Sequence, residues 1–342
     1  MTRRIFNQSL LLAATTSASN PTLTAIPNIE VGHFTNSRRP TGCTAILFPK
    51  GAIAGVDVRG AAPGTRETDL LNPINTVQQI NAIMLSGGSA YGLDTASGAM
   101  RYLEERGLGF HLANQIVPIV PAAILYDLNL GDGHIRPDAA AGYAACKAAS
   151  SARVVEGSVG AGAGATIGKF FGPKSMMKSG LGSACLTIGN TGVLVGAIVA
   201  VNAGGDIRDP ATGHIIAGAR KPDGSGFLDT MAQWREGHAS NQPQTGRNTT
   251  IGVVATNAIF DKAQMTKIAQ MAHDGLARVI NPVHTTMDGD TIFAATTGAL
   301  KSPLDHGVIG AVAAEVMTEA VLRAVRLATS VLGIPAYKDL RP

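Results

Sequence analysis

Apolar residues in this chain fall into short continuous runs and into longer stretches with helical spacing. Short apolar runs bounded by Gly, Pro or Asn are typical of buried strands. They predict strands at residues 44–48, 52–58, 122–126, 193–202, 251–256 and 291–296. Pro49-Lys50-Gly51 separates the first two runs, and these turn-forming residues predict a hairpin there.

Helical spacing appears at residues 89–106, 137–150, 261–279 and 306–331. In the last segment an apolar stripe is expected along one face, formed by Val308, Val312, Val316, Ala320 and Leu322. Strands and helices alternate without a regular βαβ repeat. This order favours an α/β (α+β) fold with sheets packed on each other and helices outside, over a Rossmann-type parallel sheet.

Composition supports a close-packed interior. The 342 residues include 45% hydrophobic residues and 41 glycines but only 4% aromatics. A core of small side chains suits layers that approach closely. The net charge of +4 is small and no basic run recurs, so nucleic-acid binding is not expected. A membrane partner is not expected either, because no apolar run is long enough to span a bilayer.

The cysteines Cys43, Cys146 and Cys185 are far apart in sequence. Zinc sites usually need closely spaced pairs, and a disulfide framework needs an even number. We therefore expect three small buried hydrophobes.

The first residues have the order of an export signal. A basic start, Thr2-Arg3-Arg4-Ile5-Phe6, precedes Leu10-Leu11-Leu12-Ala13-Ala14 and then Ser17-Ala18-Ser19. The paired arginines look like a twin-arginine signal, which predicts a periplasmic protein with residues 1–20 removed. The alternative is a disordered start of a cytoplasmic protein.

Residues 219–247 are polar, unlike the rest of the chain, and predict a mobile surface segment. They lead directly into Asn248-Thr249-Thr250-Ile251, where strand composition begins. Cleavage of the Asn248–Thr249 bond would leave a threonine at the head of a strand.

A threonine at a chain start is a better nucleophile than an internal one. Its α-amine, with a pKa near 8, can take the hydroxyl proton without a separate histidine. The same hydroxyl can attack the preceding carbonyl, so one residue would perform both maturation and turnover. The alternatives are a simple turn before a strand, or an Asn-x-Thr glycosylation site.

Asp288 and Asp290 flank Gly289 just before the strand predicted at 291–296. If this strand lies beside the one that follows Thr249, both carboxylates can approach the new ammonium group and adjust its proton affinity. The alternative is a turn with two solvated acids. The spacing does not fit an EF-hand calcium loop.

Another nucleophile is offered by Ser175-Met176-Met177-Lys178, which fits the Ser-x-x-Lys pattern of penicillin-binding proteins and β-lactamases. The companion Ser-Asp-Asn and Lys-Thr-Gly motifs are not found. This remains a distant alternative to Thr249.

Taken together, these motifs resemble the DmpA/BapA family of self-processing aminopeptidases. The resemblance covers residues 25–333 and rests on 248–251, 284–291, 86–93, 124–127 and 160–165. The chain is most similar to the family's threonine branch, which includes the nylon-oligomer hydrolases.

The resemblance implies a four-layer αββα sandwich of the N-terminal-nucleophile (Ntn) hydrolase type, with no metal or organic cofactor. It implies a single domain cut into an α chain, residues 21–248, and a β chain, residues 249–342, and assembly into oligomers, commonly tetramers of αβ units. The catalytic residues implied are Thr249, Asp288, Asp290, Lys169 beside the nucleophile and Asn202 as oxyanion donor, with Tyr126 lining the substrate site.

Aminopeptidase members carry a serine nucleophile, with Ser and Glu where this chain has Asp288 and Asp290. The sequence therefore leaves the substrate open. A peptide or peptide-like amide is the first expectation, and a 6-aminohexanoate oligomer is the second. A non-enzymatic, uncleaved scaffold of the same fold is the remaining alternative.

Overall fold

A computed structural model describes residues 21–238 and 247–340. The predicted export signal and residues 239–246 of the polar segment lie outside these ranges. No helix in the described part is both long enough and apolar enough to span a bilayer.

The described chain contains five α-helices. They are α1 Thr95–Glu104, α2 Ala139–Lys147, α3 Thr230–Arg235, α4 Lys262–Ala277 and α5 His306–Arg326. The predicted helices are present in shorter form, and the first is preceded by a 3-10 turn, Ser89–Asp94. Helix α3 was not predicted, since it lies in the polar segment; Asp229 caps its start by accepting a hydrogen bond from the Ala232 amide.

The stripe predicted along α5 is only partly right. Val316, Ala320 and Leu322 are buried, but Val308 is 41% exposed. Ile309, Met317 and Val321 point into the core. Val312 packs against the same core, so the buried face of α5 is wider than the predicted stripe, and Val308 is the one predicted residue that lies outside it.

In the described chain the strands form one connected series of nine, one set of three and two pairs. In chain order they are β1 Glu30–Thr35, β2 Gly42–Val58, β3 Thr65–Arg66, β4 Ile80–Ser86, β5 Phe110–Leu112, β6 Gln115–Val117, β7 Ala122–Ile124, β8 Thr166–Ile167, β9 Met177–Lys178, β10 Leu181–Thr187, β11 Leu194–Asn202, β12 Asp206–Arg208, β13 Ile215–Ala217, β14 Thr249–Ala258, β15 Ile280–Asn281 and β16 Thr291–Leu300.

The hairpin predicted at Pro49-Lys50-Gly51 is wrong, because β2 runs straight through these residues. Residues 42–47 pair with β4 and β1, whereas residues 53–58 pair with β16. Gly51 has a φ of +78°, and the register shifts between Leu47 and Ala52. Such a bulge bends a strand without reversing it. β2 thus passes from one sheet to the other.

The two sheets that share β2 pack face to face between two helical layers. The core between the sheets joins Ile46, Phe48, Ile83 and Leu85 to Ile198, Ile251, Val253 and Phe293. Helices α1 and α2 cover the outer face of the first sheet, and α4 and α5 cover that of the second. The predicted αββα arrangement is confirmed. Cys43, Cys146 and Cys185 are buried and unpaired, as expected.

The second sheet brings distant parts of the sequence together at one end. Strand β14 lies between β11, which is antiparallel to it, and β16, which is parallel to it. Asn202, the last residue of β11, is directly opposite Thr249, the first residue of β14. The segment before β16 arrives at the same end, where Asn248 forms a bridge with Asp288.

Candidate active site

Thr249 is buried at the head of β14, with its side chain turned back along the chain. Its hydroxyl donates to the carbonyl oxygen of Asn248 at 2.5 Å. The same oxygen accepts the backbone N–H of Gly289 at 2.9 Å. The carbonyl of the predicted cleavage site therefore lies between the Thr249 hydroxyl and a backbone N–H that would stabilise negative charge on it.

Gly289 is at a position where no larger residue fits. A Cβ there would lie 2.6 Å from the Ala62 carbonyl oxygen and 2.9 Å from the Thr249 Oγ1. The absence of a side chain lets the loop before β16 approach the Asn248 carbonyl closely enough to donate.

Asn202 is fully buried and uses both ends of its amide. Its Nδ2 donates to the Tyr126 carbonyl at 3.0 Å and to the Arg247 carbonyl at 3.3 Å. Its Oδ1 accepts the Thr166 N–H at 3.0 Å. One N–H of Asn202 thus points at the backbone just before the predicted cleavage site.

Lys169 reaches the same backbone from the glycine-rich loop. Its Nζ donates to the Arg247 carbonyl at 2.8 Å and to the Asn202 carbonyl and Oδ1 at 2.8 and 2.9 Å. Burial lowers the pKa of Lys169 to about 7, although the carboxylates of Asp288, Asp290 and Asp127 act in the opposite direction. Both the charged and the neutral amine are therefore accessible near neutral pH.

Asp290 fixes the start of β14. Its Oδ1 accepts the Thr250 N–H at 2.6 Å, and its Oδ2 accepts from His284, whose Nδ1 is 2.8 Å away. His284 holds a left-handed backbone conformation, with φ of +55°, that lets its own N–H also donate to Oδ2 at 3.2 Å. Asp290 is thereby held one residue from the nitrogen that cleavage would free.

Asp288 is buried beside Asp290, and its Oδ2 accepts the Thr285 N–H at 2.6 Å. Burial, and secondarily the neighbouring charge of Asp290, raises the pKa of Asp288 to about 6. An ammonium group placed nearby would lower this pKa again, since it stabilises the carboxylate.

Tyr126 joins the site through its backbone carbonyl, which accepts from Asn202. The next residue, Asp127, anchors this loop. It forms a buried ion pair with Arg39 at 2.8 Å and accepts from the Thr41 hydroxyl at 2.7 Å and the Gly88 N–H at 2.9 Å. A fixed Tyr126 carbonyl in turn orients the Asn202 amide.

The sequence does not predict every residue that contacts this site. Gly289 and His284 lie inside the 284–291 motif, but the motif predicts roles only for its two carboxylates. A glycine between two acids, and a histidine six residues before the second acid, were the available signals. Arg39 gives no such signal, since only the fold brings it to Asp127.

The Ser175 alternative is not supported by its surroundings. The Ser175 hydroxyl donates to the carbonyls of Gly168 and Gly172, at 3.0 and 2.8 Å. Lys178 instead donates to the carbonyls of Gly162 and Ser179. The lysine is not hydrogen-bonded to the serine, so it does not activate it in this arrangement.

Comparisons with known proteins agree with the fold and the motifs. Residues 21–338 match the model of peptidase family S58. The chain is similar to an uncharacterized aminopeptidase of Mycobacterium leprae, at 41% identity over 94% of each protein. It is also similar to a 6-aminohexanoate-oligomer endohydrolase of Kocuria sp., at 33% identity over 88% of this chain and 84% of the relative.

Among solved structures, the L-aminopeptidase D-Ala-esterase/amidase of Ochrobactrum anthropi superposes with a TM-score of 0.68. It covers 92% of this chain and 88% of its own, at 19% identity, and is described as a variant of the Ntn hydrolase fold. The family match along nearly the whole chain, together with relatives named as an aminopeptidase and an oligomer endohydrolase, favours an enzyme over a scaffold. The chain belongs to peptidase family S58, and it is a peptidase or amide hydrolase.

Proposed function

We propose that the chain is a self-processing amidohydrolase in which Thr249 is the nucleophile for both its own maturation and substrate turnover. The observation that carries this proposal is the environment of the Asn248 carbonyl. It is within hydrogen-bonding distance of the Thr249 hydroxyl on one side and of the Gly289 N–H on the other.

In the first stage the Thr249 Oγ attacks the Asn248 carbonyl carbon. The Gly289 N–H stabilises the resulting oxyanion. The C–N bond then breaks, the threonine nitrogen takes a proton, and an ester links Asn248 to the Thr249 oxygen. Water hydrolyses this ester, leaving a carboxylate on Asn248 and a free hydroxyl and α-amine on Thr249. Lys169, one peptide away, is the amine best placed to carry the proton when neutral.

In the second stage an external amide takes the place of residues 247–248. The freed α-amine accepts the proton of the Thr249 hydroxyl, and the hydroxyl oxygen attacks the substrate carbonyl. The Asn202 N–H that held the Arg247 carbonyl is then available to the new oxyanion. The C–N bond of the substrate breaks, its amine leaves with a proton, and water releases the acyl group from Thr249. Asp288 and Asp290 hold the α-amine.

The substrate proposed first is a peptide or peptide-like amide, in line with the aminopeptidase names of relatives. The second candidate is a linear or cyclic oligomer of 6-aminohexanoate. The observation that favours it is the Asp288 and Asp290 pair, together with the name of the relative from Kocuria sp..

Substitution of Thr249 tests the proposal directly. Thr249→Ala should give one band of 35.0 kDa and no amide hydrolysis. Thr249→Ser, the matched control, keeps the hydroxyl and should still give two pieces of about 25 and about 10 kDa, in proportion to the chain lengths. Cleavage before residue 249 in Thr249→Ala protein would contradict the proposal, because no hydroxyl would be available for attack.

The quaternary state is part of the proposal. Tetramers of αβ units follow from the family resemblance, and the β5–β6 hairpin offers apolar surface, since Phe110, Leu112 and Val117 are 39, 61 and 38% exposed. Light scattering of processed protein should give about four times 35.0 kDa. A monomer would refute the proposed tetramer.

Export to the periplasm remains a proposal from the first 20 residues, testable by fractionation of cells producing the full chain.

A further inference from the structure

A cleft leads away from the catalytic lysine toward the C-terminal loop. Its inner part, of about 250 Å³, is lined by Asn129, Lys169, Met176 and Arg247 among others. Its outer part, of about 510 Å³, is lined by Lys174, Arg220 and the loop at 332–334. The two parts share Asn129, Pro173 and Met176, so they adjoin each other.

Residue 247 shows which part of a substrate this cleft would receive. The Arg247 carbonyl lies on the donors Lys169 and Asn202, which would bind the carbonyl of an external amide. The Arg247 residue also lines the inner cavity. An external substrate bound to the same donors therefore extends its acyl side, rather than its leaving amine, along the cleft.

The charges along the cleft are of one sign. Lys174 and Arg220 line the outer part, and the Arg220 guanidinium donates to the backbone carbonyl of Lys174 at 2.8 Å, which fixes it beside that residue. Neither is paired with a carboxylate in the described parts of the chain. No aspartate or glutamate is among the described residues that line either cavity.

The nearby carboxylates are engaged elsewhere. Asp127 is buried in its ion pair with Arg39. Asp288 and Asp290 accept from Thr285 and Thr250, next to the position of the future α-amine. A substrate ammonium group in the cleft would therefore meet cations without a matching anion, which disfavours binding.

We propose that the cleft selects amides whose acyl part carries a carboxylate, and that it disfavours acyl groups with a free amine. Apolar contacts with Leu130, Met176 and Ile334 would line the path of the chain between the scissile carbonyl and that carboxylate. This inference rests on the proposed function and narrows it. The cleft then suits attack within an amide chain, or on an acidic acyl group, better than trimming of free N-termini.

Three chromogenic alanine p-nitroanilides with different groups on the α-nitrogen test the proposal: the succinyl compound is an anion, the N-acetyl compound is neutral and the free amine is a cation. Processed wild-type enzyme should show kcat/KM in the order succinyl, acetyl, free, with about tenfold between the extremes, since each interaction with a partly solvated charge is modest. Most of the difference should lie in KM, because the charge is remote from the reacting carbonyl.

Lys174→Glu reverses one charge on an exposed side chain of the cleft. The ratio of kcat/KM for the succinyl over the free substrate should fall about tenfold. Arg220→Gln should lower it in the same direction. Lys221→Glu is the matched control, since Lys221 is exposed, adjacent to Arg220 and outside both cavities; it should leave the ratio within about twofold.

Each outcome decides the matter. A wild-type preference for the free amine, or a ratio that Lys174→Glu does not move, overturns the inference and leaves the proposed function intact. If protein cut before Thr249 hydrolyses none of the three substrates, both the proposed turnover and the inference fail. Hydrolysis by uncut protein contradicts the proposed nucleophile itself.

Discussion

Replacing Asn202 by aspartate removes the side-chain N–H donors of this residue while keeping its shape. The Asn202 Oδ1 accepts from Thr166 at 3.0 Å and from Lys169 at 2.9 Å, and a carboxylate oxygen preserves both contacts. The Nδ2 donates to the carbonyls of Tyr126 and Arg247, and an ionised carboxylate cannot. Asn202→Asp therefore deletes the proposed oxyanion donor and retains the acceptor.

The expected effects on rate and on stability differ in size. Loss of one preorganised oxyanion donor costs about 3 kcal/mol of transition-state stabilisation, or a fall in kcat of about 10²- to 10³-fold. Stability should drop by only about 1–3 kcal/mol, because the buried Tyr126 carbonyl loses the hydrogen bond from the Asn202 Nδ2. Asn202→Ala should be less stable than Asn202→Asp, since the Thr166 N–H and Lys169 Nζ also lose an acceptor.

Three readouts separate these effects. A denaturing gel gives the processed fraction, urea unfolding gives the stability, and kcat on a chromogenic amide is calculated per processed molecule. We expect Asn202→Asp to be cut still, because the N–H of Gly289, and not that of Asn202, contacts the Asn248 carbonyl. A folded, processed Asn202→Asp enzyme with kcat within about threefold of wild type would refute the assigned role.

Other predictions concern the residues around Thr249. The rate of self-cleavage of freshly synthesised precursor, followed on gels, should rise between pH 6 and 8 as Lys169, with its pKa of about 7, loses its proton; Lys169→Met should be slow at every pH. Gly289→Ala should accumulate uncut 35.0 kDa chain, because the new Cβ would lie 2.9 Å from the Thr249 Oγ1; normal processing would contradict the close approach. Arg39→Ala should lower the free energy of unfolding by about 3–5 kcal/mol, since it leaves the buried Asp127 charge unpaired; a loss below about 1 kcal/mol in urea melts would show that this ion pair is not needed.

The sequence was most informative where composition changes abruptly. The β-branched run after Asn248 indicated the strand that Thr249 begins, and that strand exists as β14. The order of elements, without a βαβ repeat, was enough to predict two packed sheets between helices. Neither inference required knowledge of long-range contacts.

The errors arose where tertiary contacts override local signals. Pro49-Lys50-Gly51 has turn chemistry, yet the segments on either side pair with β4 and β16 rather than with each other. Strands β1, β4 and β10 were not predicted at all, and short apolar stretches such as 80–86 have no periodicity that separates them from helix or loop.

The parts of the site supplied by backbone groups were also beyond sequence reasoning. The Gly289 N–H and the Tyr126 carbonyl act through positions that any residue type carries in its main chain. Their relevance depends on register, since Asn202 must be opposite Thr249 and Asp288 beside Asn248. Pairing of this kind is set by the whole sheet and cannot be deduced from one strand.

Mass spectrometry of the purified full chain, with chemical labelling of free α-amines, tests the central claim most directly. The account predicts a fragment that extends from residue 249 to residue 342 and whose labelled first residue is threonine. An active preparation in which the chain is intact, or in which every fragment starts at some other residue, would contradict it.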